Sequence, residues 1–366
     1  MTERLGIVYT PVEVVDFIIH SVNEVLQSEF RQTLGSKGVH IIDPFTGTGT
    51  FITRLLQSGL IQPDELAHKY AHEIHANEIV LLAYYIAAIN IEAVYHSLSG
   101  GDYQPFGGIC LTDTFQLYEQ EKDMLAELMP DNSHRRARQK ELDIRVIMGN
   151  PPYSVGQRSE NDNADNIEYP RLDGRIRETY AANVPTRPWQ RACTTAISVR
   201  SAGPATGSAM RGWWPMFPMQ VGWTPIQPMA CANVWPTNLP ASMFHLRGER
   251  THVWRARAPR RRARCSAGSR TPVAIIAGQE SRATTHGQIH FHDIGDYRTR
   301  EDKLATVARF GSIGGITRTN DWQAITPDEH GDWLGQRDKA FDAYIPLGDK
   351  GDSSAVTLFS DYSRVS

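Results

Sequence analysis

The tetrapeptide Asn150-Pro151-Pro152-Tyr153 is the part of this chain best suited to chemistry. Two consecutive prolines stiffen the backbone and remove two N–H donors, leaving carbonyls with no local partner. The Asn150 side-chain oxygen and the Pro151 carbonyl can together accept both hydrogens of a planar NH2 group. Those bonds draw the nitrogen towards tetrahedral geometry and make its lone pair available to an electrophile. Tyr153 offers a ring face on which a flat base can stack. A second constellation, Asp43-Pro44-Phe45-Thr46-Gly47-Thr48-Gly49-Thr50-Phe51, follows an apolar run and precedes a helical pattern. Its glycines allow a sharp turn and close approach of a ligand, which the amides at the helix start would face. No lysine follows the glycines, so the loop is not a P-loop, and the full G-x-G-x-x-G spacing is missing. Glu78 stands where an acidic side chain can accept from both hydroxyls of a ribose. Asp113 can accept from an exocyclic amine or serve its own turn.

These residues need elements to position them, and the first half of the chain supplies alternating helix and strand. Thr10-Pro11 opens a helix, with Val14, Val15, Phe17, Ile18, Val22 and Val25 at helical spacing. A strand at 39–42 leads into the glycine loop, and Ile52, Leu55 and Leu56 continue as a helix. A second strand is expected around 70–74, a helix over 79–91, and a third strand over 107–111 ending at Thr112-Asp113. A polar segment, 130–140, precedes a buried strand over 144–148 that runs into Gly149-Asn150. Such repetition predicts an α/β fold, a Rossmann-like parallel sheet with helices on both faces. In such sheets ligands sit beyond the carboxyl ends of the strands, where each of these loops falls.

Composition bounds the rest. The 366 residues carry 38 Lys+Arg against 41 Asp+Glu, so a nucleic-acid partner must meet a local positive face rather than a basic coat. No apolar run reaches membrane-spanning length, and no signal-peptide core follows the N-terminus. The four cysteines, Cys110, Cys193, Cys231 and Cys265, form no C-x-x-C pair, which argues against a disulfide scaffold or zinc ribbon. His72 and His75, and the set His290, His292 and Asp293, are read as packing or surface groups, with no metal expected. A soluble, cytoplasmic protein is the expectation.

In chain order, Tyr9-Thr10-Pro11, residues 43–51 and Asn150–Tyr153 resemble the amino-terminal, cofactor and catalytic motifs of the amino-methylating DNA methyltransferases. The likeness is nearest to the adenine-N6 enzymes of Type I and single-polypeptide Type I-like (ISP) restriction–modification systems. It is specific over about residues 5–183, and returns at 246–248, 268–276, 289–297 and 324–350. The resemblance implies S-adenosylmethionine as methyl donor, with Phe45, Gly47, Gly49 and Thr10 around its methionine part. Pro11 and Asp43 belong to the same cofactor-binding set, Glu78 would hold the ribose, and Asp113 the adenine. Asn150, Pro151 and Pro152 would form the corner that grips the target amine, with Tyr153 stacked on a base flipped from double-stranded DNA. Nuclease, helicase and specificity regions or subunits are the partners it implies.

Residues 184–270 fit none of this. Six of the eight tryptophans crowd there, prolines interrupt every helical pattern, and residues 255–264 are mostly arginine. Read one base earlier, the codons behind Gly212 to Met219 force a run of aliphatic, Val and Ala residues ending in a polar turn. The shifted codons behind Met229 to Thr237 permit an amphipathic helix. A reading-frame displacement over about 186–243, with another slip around 249–265, is therefore expected, and the arginine run is an artefact of it. The organisation expected is an N-terminal helix and methyltransferase core over 1–183, a displaced segment over 184–270, and over 271–366 the rest of the methylase with the start of a target-recognition region. The displacement implies weak or absent activity. Two alternatives stand beside the DNA enzyme: a glutamine-N5 methyltransferase acting on protein, since a side-chain amide is also a planar NH2, and a non-catalytic remnant of a restriction–modification gene.

Overall fold

The computed structural model describes residues 10–118, 129–150, 170, 171, 174, 290–294, 298–326, 345 and 356, and the backbone of strands at 214–216, 242–247, 274–278 and 288–289. It divides into a unit over Met1–Trp333 and a second over Leu334–Ser366, in which Ile345 and Val356 are exposed.

Helix α1 (Val12–Phe30) starts directly after Pro11 and turns Val14, Val15, Phe17, Ile18, Val22 and Val25 inward, as their spacing predicts. It stops at Arg31, whose φ of 55° lets its N–H close on the Gln27 carbonyl. The succeeding elements are β1 (His40–Asp43), α2 (Thr50–Gln57), α3 (Pro63–His68), β2 (Ile74–Glu78), α4 (Leu81–Ser99), β3 (Ile109–Leu111), α5 (Pro130–Glu141) and β4 (Ile144–Ile147). Their strands form a parallel sheet in the order β3-β2-β1-β4. The main core gathers apolar residues of α1, α2, α4 and all four strands, while Ile42, Ile144 and Ile147 form a smaller cluster with Leu142. A bidentate pair from Arg54 to Asp16, at 2.8 and 2.6 Å, ties α2 to α1.

Two elements differ from the sequence reading. The run expected as a strand around 70–74 is a π-helical turn, Lys69–Glu73, and β2 begins where it ends. The turn is held by the fully buried Lys69, whose ammonium donates to the Ser36 and Val39 carbonyls at 2.7 and 2.8 Å and pairs with Glu73 at 2.6 Å. Glu73 also accepts from the Gly38 N–H at 2.7 Å, so the turn before β1 and the entry to β2 share one ion pair. Burial depresses the Lys69 pKa, with Glu73 opposing; Glu73 sits below the ordinary range because its hydrogen bonds outweigh burial. The polar stretch 130–140 is helix α5. Its inward residues are Asn132 and Gln139, and Asn132 clasps both the N–H and the carbonyl of Leu111 in β3, at 2.7 and 2.9 Å.

A second sheet has the order β5-β7-β6-β8-β9, built from β5 (Trp214–Met216), β6 (Ser242–Arg247), β7 (Ala274–Gly278), β8 (Gln288–Asp293) and β9 (Gln323–Ile325). Helices α6 (Arg300–Phe310) and α7 (Ile313–Thr319) return to α1. There Glu24 accepts from Ser312 Oγ and the Gly314 N–H at 2.6 and 2.8 Å, and Ser21 from the Ile313 N–H at 3.0 Å, capping α7 with side chains of α1. Leu304, Val307, Phe310, Ile313 and Ile316 thereby join the main core. Among the described residues no helix is long and apolar enough to cross a membrane, and no group of three metal-ligating side chains occurs. His75 instead lies against His40, His72 against His68, and His292 turns Nδ1 to the Asp321 carbonyl.

Candidate functional site

The glycine loop leaves β1 at Asp43, next to the ends of β2 and β4. Thr46 anchors it from both ends: its hydroxyl donates to the Asp43 carbonyl at 3.0 Å and its N–H to the Asn77 carbonyl of β2 at 3.0 Å. Gly47 and Gly49 carry φ of 56° and 88°, the left-handed region that side chains disfavour. At Gly49 a Cβ would also come within 3.3 Å of Ile91, so α4 packs against the bare backbone. Among the described residues nothing lies within 4 Å of where a Cβ at Gly47 would stand.

Two buried carboxyls hold this loop. Glu78, 9% exposed at the end of β2, accepts from the Gly47 N–H at 2.7 Å and from the Val80 N–H at 2.8 Å. Burial raises its pKa, and the backbone donors to it work in the opposite direction. Asp43, 1% exposed, accepts from the Phe45 N–H at 3.1 Å through Oδ1, while Oδ2 is buried and has no hydrogen-bond partner among the described residues. Burial pushes the Asp43 carboxyl up to about 8, against the pull of the Phe45 N–H and helped by the negative charge of Glu78.

The end of β3 closes the other side. The Thr112 N–H donates to the Glu78 carbonyl at 2.9 Å, and Asp113 accepts from the Phe115 N–H at 2.9 Å in a side-chain turn. Thr114 Oγ1 donates to the Pro44 carbonyl at 2.7 Å, and the rings of Phe45 and Phe115 lie 5.4 Å apart. On the opposite side β4 ends at Gly149-Asn150. Asn150 Nδ2 donates to Thr10 Oγ1 at 3.1 Å, joining residues 140 positions apart, and so turns the amide oxygen away from Thr10. Thr10, Pro11, Asp43, Phe45, Gly47, Gly49, Glu78, Asp113 and Asn150 are all described; Pro151, Pro152 and Tyr153 lie outside the described residues.

Sequence reasoning did not single out Thr114, Asn90 or Gly149. Asn90 on α4 donates to the Thr48 carbonyl at 2.9 Å and steadies the loop beside Gly49. At Gly149 a Cβ would fall 2.5 Å from Asp43 Oδ1, and a glycine between a strand and Asn-Pro-Pro was the available signal. Nothing in sequence spacing marks Thr114 or Asn90.

No curated protein matches the chain. Among solved structures it is similar to a nuclease-deletion mutant of the Type ISP restriction-modification enzyme LlaGI in complex with a DNA substrate mimic, at 39% identity and TM-score 0.74, over 94% of this chain and 28% of that one. It is also similar to the ATP-dependent Type ISP restriction-modification enzyme LlaBIII bound to DNA, at 33% identity and TM-score 0.77, over 97% of this chain and 24% of that one. A DrdV–DNA complex matches at 29% identity and TM-score 0.74, over 95% and 33%. The chain thus spans about a quarter to a third of the length of these proteins. The model of the N-6 DNA methylases matches residues 1–184, the stretch that holds the glycine loop, Glu78, Asp113 and the Asn150 corner, and the chain belongs to that family.

Proposed function

We propose that this chain is the methyl-transferring part of a restriction–modification enzyme, moving a methyl group from S-adenosylmethionine to the N6 amine of an adenine flipped out of duplex DNA. The observation that carries the reading is the Asn150–Thr10 hydrogen bond, which fixes the Asn150 amide just beyond the end of β4, one strand from the glycine loop of β1. The residues fit the donor. Among the described residues nothing fills the space over Gly47, the Glu78 carboxylate has acceptor capacity beyond the Gly47 and Val80 N–H groups, and Asp113 stands past the end of the neighbouring strand. When bound, S-adenosylmethionine supplies an electrophilic methyl group on a sulfonium.

In this reading Glu78 accepts from the ribose hydroxyls and Asp113 from the adenine amine. The backbone around Phe45, Gly47 and Gly49, with Thr10, Pro11 and Asp43, encloses the methionine end. Asn150 Oδ1 and the Pro151 carbonyl accept both hydrogens of the target amine, Pro152 stiffens the corner, and Tyr153 takes the base. No strong general base is needed, because alignment of nitrogen, methyl and sulfur supplies most of the acceleration, and the extra proton leaves to solvent after transfer. The family match disfavours the protein-glutamine alternative. Double-stranded DNA is the substrate surface, and the nuclease, helicase and specificity functions belong to other regions or subunits. The test is transfer of labelled methyl from S-adenosylmethionine to duplex DNA. The unsubstituted chain should bind the donor and label DNA, whereas Asn150→Ala should bind the donor equally and label none. Equal labelling by the variant overturns the reading.

One observation favours a second reading, an inactive remnant of such an enzyme. Among the described strands β4 has no hydrogen-bonded neighbour beyond β1, although it carries Asn150. The nearest stretch of the anomalous segment, β5, is three residues long with Pro215 at its centre, a residue that suits only the edge of a sheet. Displacement of the reading frame over about 186–243 accounts for both. Sequencing the gene and assaying a chain with the frame restored tests this: the restored chain should transfer methyl groups and the present one should not. Equal activity of the two chains removes the second reading.

A further inference from the structure

The Asp43 carboxyl is placed differently from the other acidic groups of the site. Glu78 has both oxygens on backbone N–H groups, whereas Asp43 uses only Oδ1, on Phe45, and Oδ2 is buried with no partner among the described residues. Its neighbour across the sheet is Gly149, the residue before Asn150. A Cβ on Gly149 would stand 2.5 Å from Oδ1, 3.4 Å from the carboxyl carbon and 3.3 Å from Pro44 Cδ. The carboxyl therefore fills the space that a side chain at 149 would take, and one group touches both the donor loop and the acceptor corner. An ionised carboxylate with one oxygen sealed from water and from donors is strongly disfavoured. Glu78 on β2 is the titratable neighbour that acts on it, and its negative charge adds to that penalty.

We propose that Asp43 is a positioning residue that works as a neutral carboxyl: seated against the bare α-carbon of Gly149 and holding the Phe45 N–H, it fixes the glycine loop and the Asn150 corner at the separation methyl transfer requires. The inference rests on the methyl-transfer reading above and assigns to that site a further requirement, that one buried proton be present. Burial holds the carboxyl protonated at neutral pH, since its pKa lies near 8. Asparagine is then the faithful substitute, because it is neutral, of the same shape, and keeps an oxygen for Phe45. Alanine leaves a gap, and Gly149→Ala pushes the carboxyl out of its seat.

Three measurements on the full chain test this. Asp43→Ala and Gly149→Ala should lose about tenfold to a hundredfold in turnover with a much smaller change in donor affinity, and Asp43→Asn, the neutral isostere, should recover most of the turnover that Asp43→Ala loses. The turnover of the unsubstituted chain should fall as pH rises through about 8, a limb absent from Asp43→Asn. An infrared difference spectrum between the two should contain a protonated-carboxyl stretch at neutral pH that disappears on alkaline titration. The proposal is overturned if Asp43→Asn is as impaired as Asp43→Ala, or if that stretch is missing. A chain that binds no donor and transfers no methyl group would count against the proposed function. In that event the infrared band alone decides, its presence supporting a neutral Asp43 and its absence overturning it.

Discussion

Replacing Glu78 by glutamine ought to be far from conservative. The carboxylate accepts from two backbone donors facing it from different sides, Gly47 N–H at 2.7 Å and Val80 N–H at 2.8 Å. Glutamine has one oxygen, so whichever way its amide turns, an NH2 meets an N–H. One charge-assisted bond is lost, worth about 1.5–3 kcal/mol, and a backbone donor is left unpaired beside another donor. Because one donor, Gly47, belongs to the turn that would seat S-adenosylmethionine, and the same oxygens would accept from its ribose, the loss falls on donor affinity. A weakening of about 1.4–2.8 kcal/mol corresponds to a tenfold to hundredfold rise in Kd. Isothermal titration at pH 7.5 measures it directly, and Glu78→Ala separates ribose recognition from the donor–donor conflict. The pH dependence follows from the raised pKa of Glu78. The accepting form is the ionised one, so affinity is full above that pKa and is lost as pH falls through it, starting at higher pH than for an exposed glutamate. That acid limb should be missing from Glu78→Gln. An unchanged Kd, or an unchanged acid limb, refutes the reasoning.

Thr10→Val removes the acceptor of the Asn150 amide, bonded at 3.1 Å. Turnover should drop by about tenfold through loss of orientation, with a smaller fall in donor affinity in titration calorimetry, since Thr10 also borders the methionine end. Lys69→Met strands Glu73 and the Ser36 and Val39 carbonyls in the interior. Urea unfolding should record a loss of about 3–5 kcal/mol, and adding Glu73→Gln should recover part of it.

Much of the site could be read in advance because its loops follow short buried strands, and buried strands announce themselves as apolar runs. Val39 to Ile42 and Ile144 to Ile147 are such runs, and each delivers its polar residue, Asp43 or Asn150, at its end. Strand β2 hides from that reasoning. Ile74-His75-Ala76-Asn77-Glu78 is buried at every position yet mostly polar, since His75 lies against His40 and Glu78 is spent on the loop. The aromatic and aliphatic residues just before it drew the strand four residues too early, where Lys69 and Glu73 fold the chain into a π-helical turn. Helix α5 escaped for a related reason: the residue it presents to β3 is Asn132, which satisfies the sheet edge rather than a hydrophobic core. Gly149 was visible as a letter, but its meaning depends on a side chain more than a hundred residues away.

The order of the strands explains why so few groups suffice. β1 lies between β2 and β4, so the loop it emits has Glu78 on one flank and Asn150 on the other. A parallel sheet aims all three ends the same way, and a ligand over the central loop meets both flanks without any further scaffold. The cost of that economy is a turn whose own N–H groups must be anchored. The chain meets it with two buried acidic residues, Glu78 on Gly47 and Asp43 on Phe45, and the first would also face a ligand's ribose. Loop geometry and ligand recognition are therefore joined in one side chain at Glu78. Substitutions that spare the shape of the turn but alter charge, and those that spare charge but alter shape, should weaken the site through different steps, the first through donor affinity and the second through turnover.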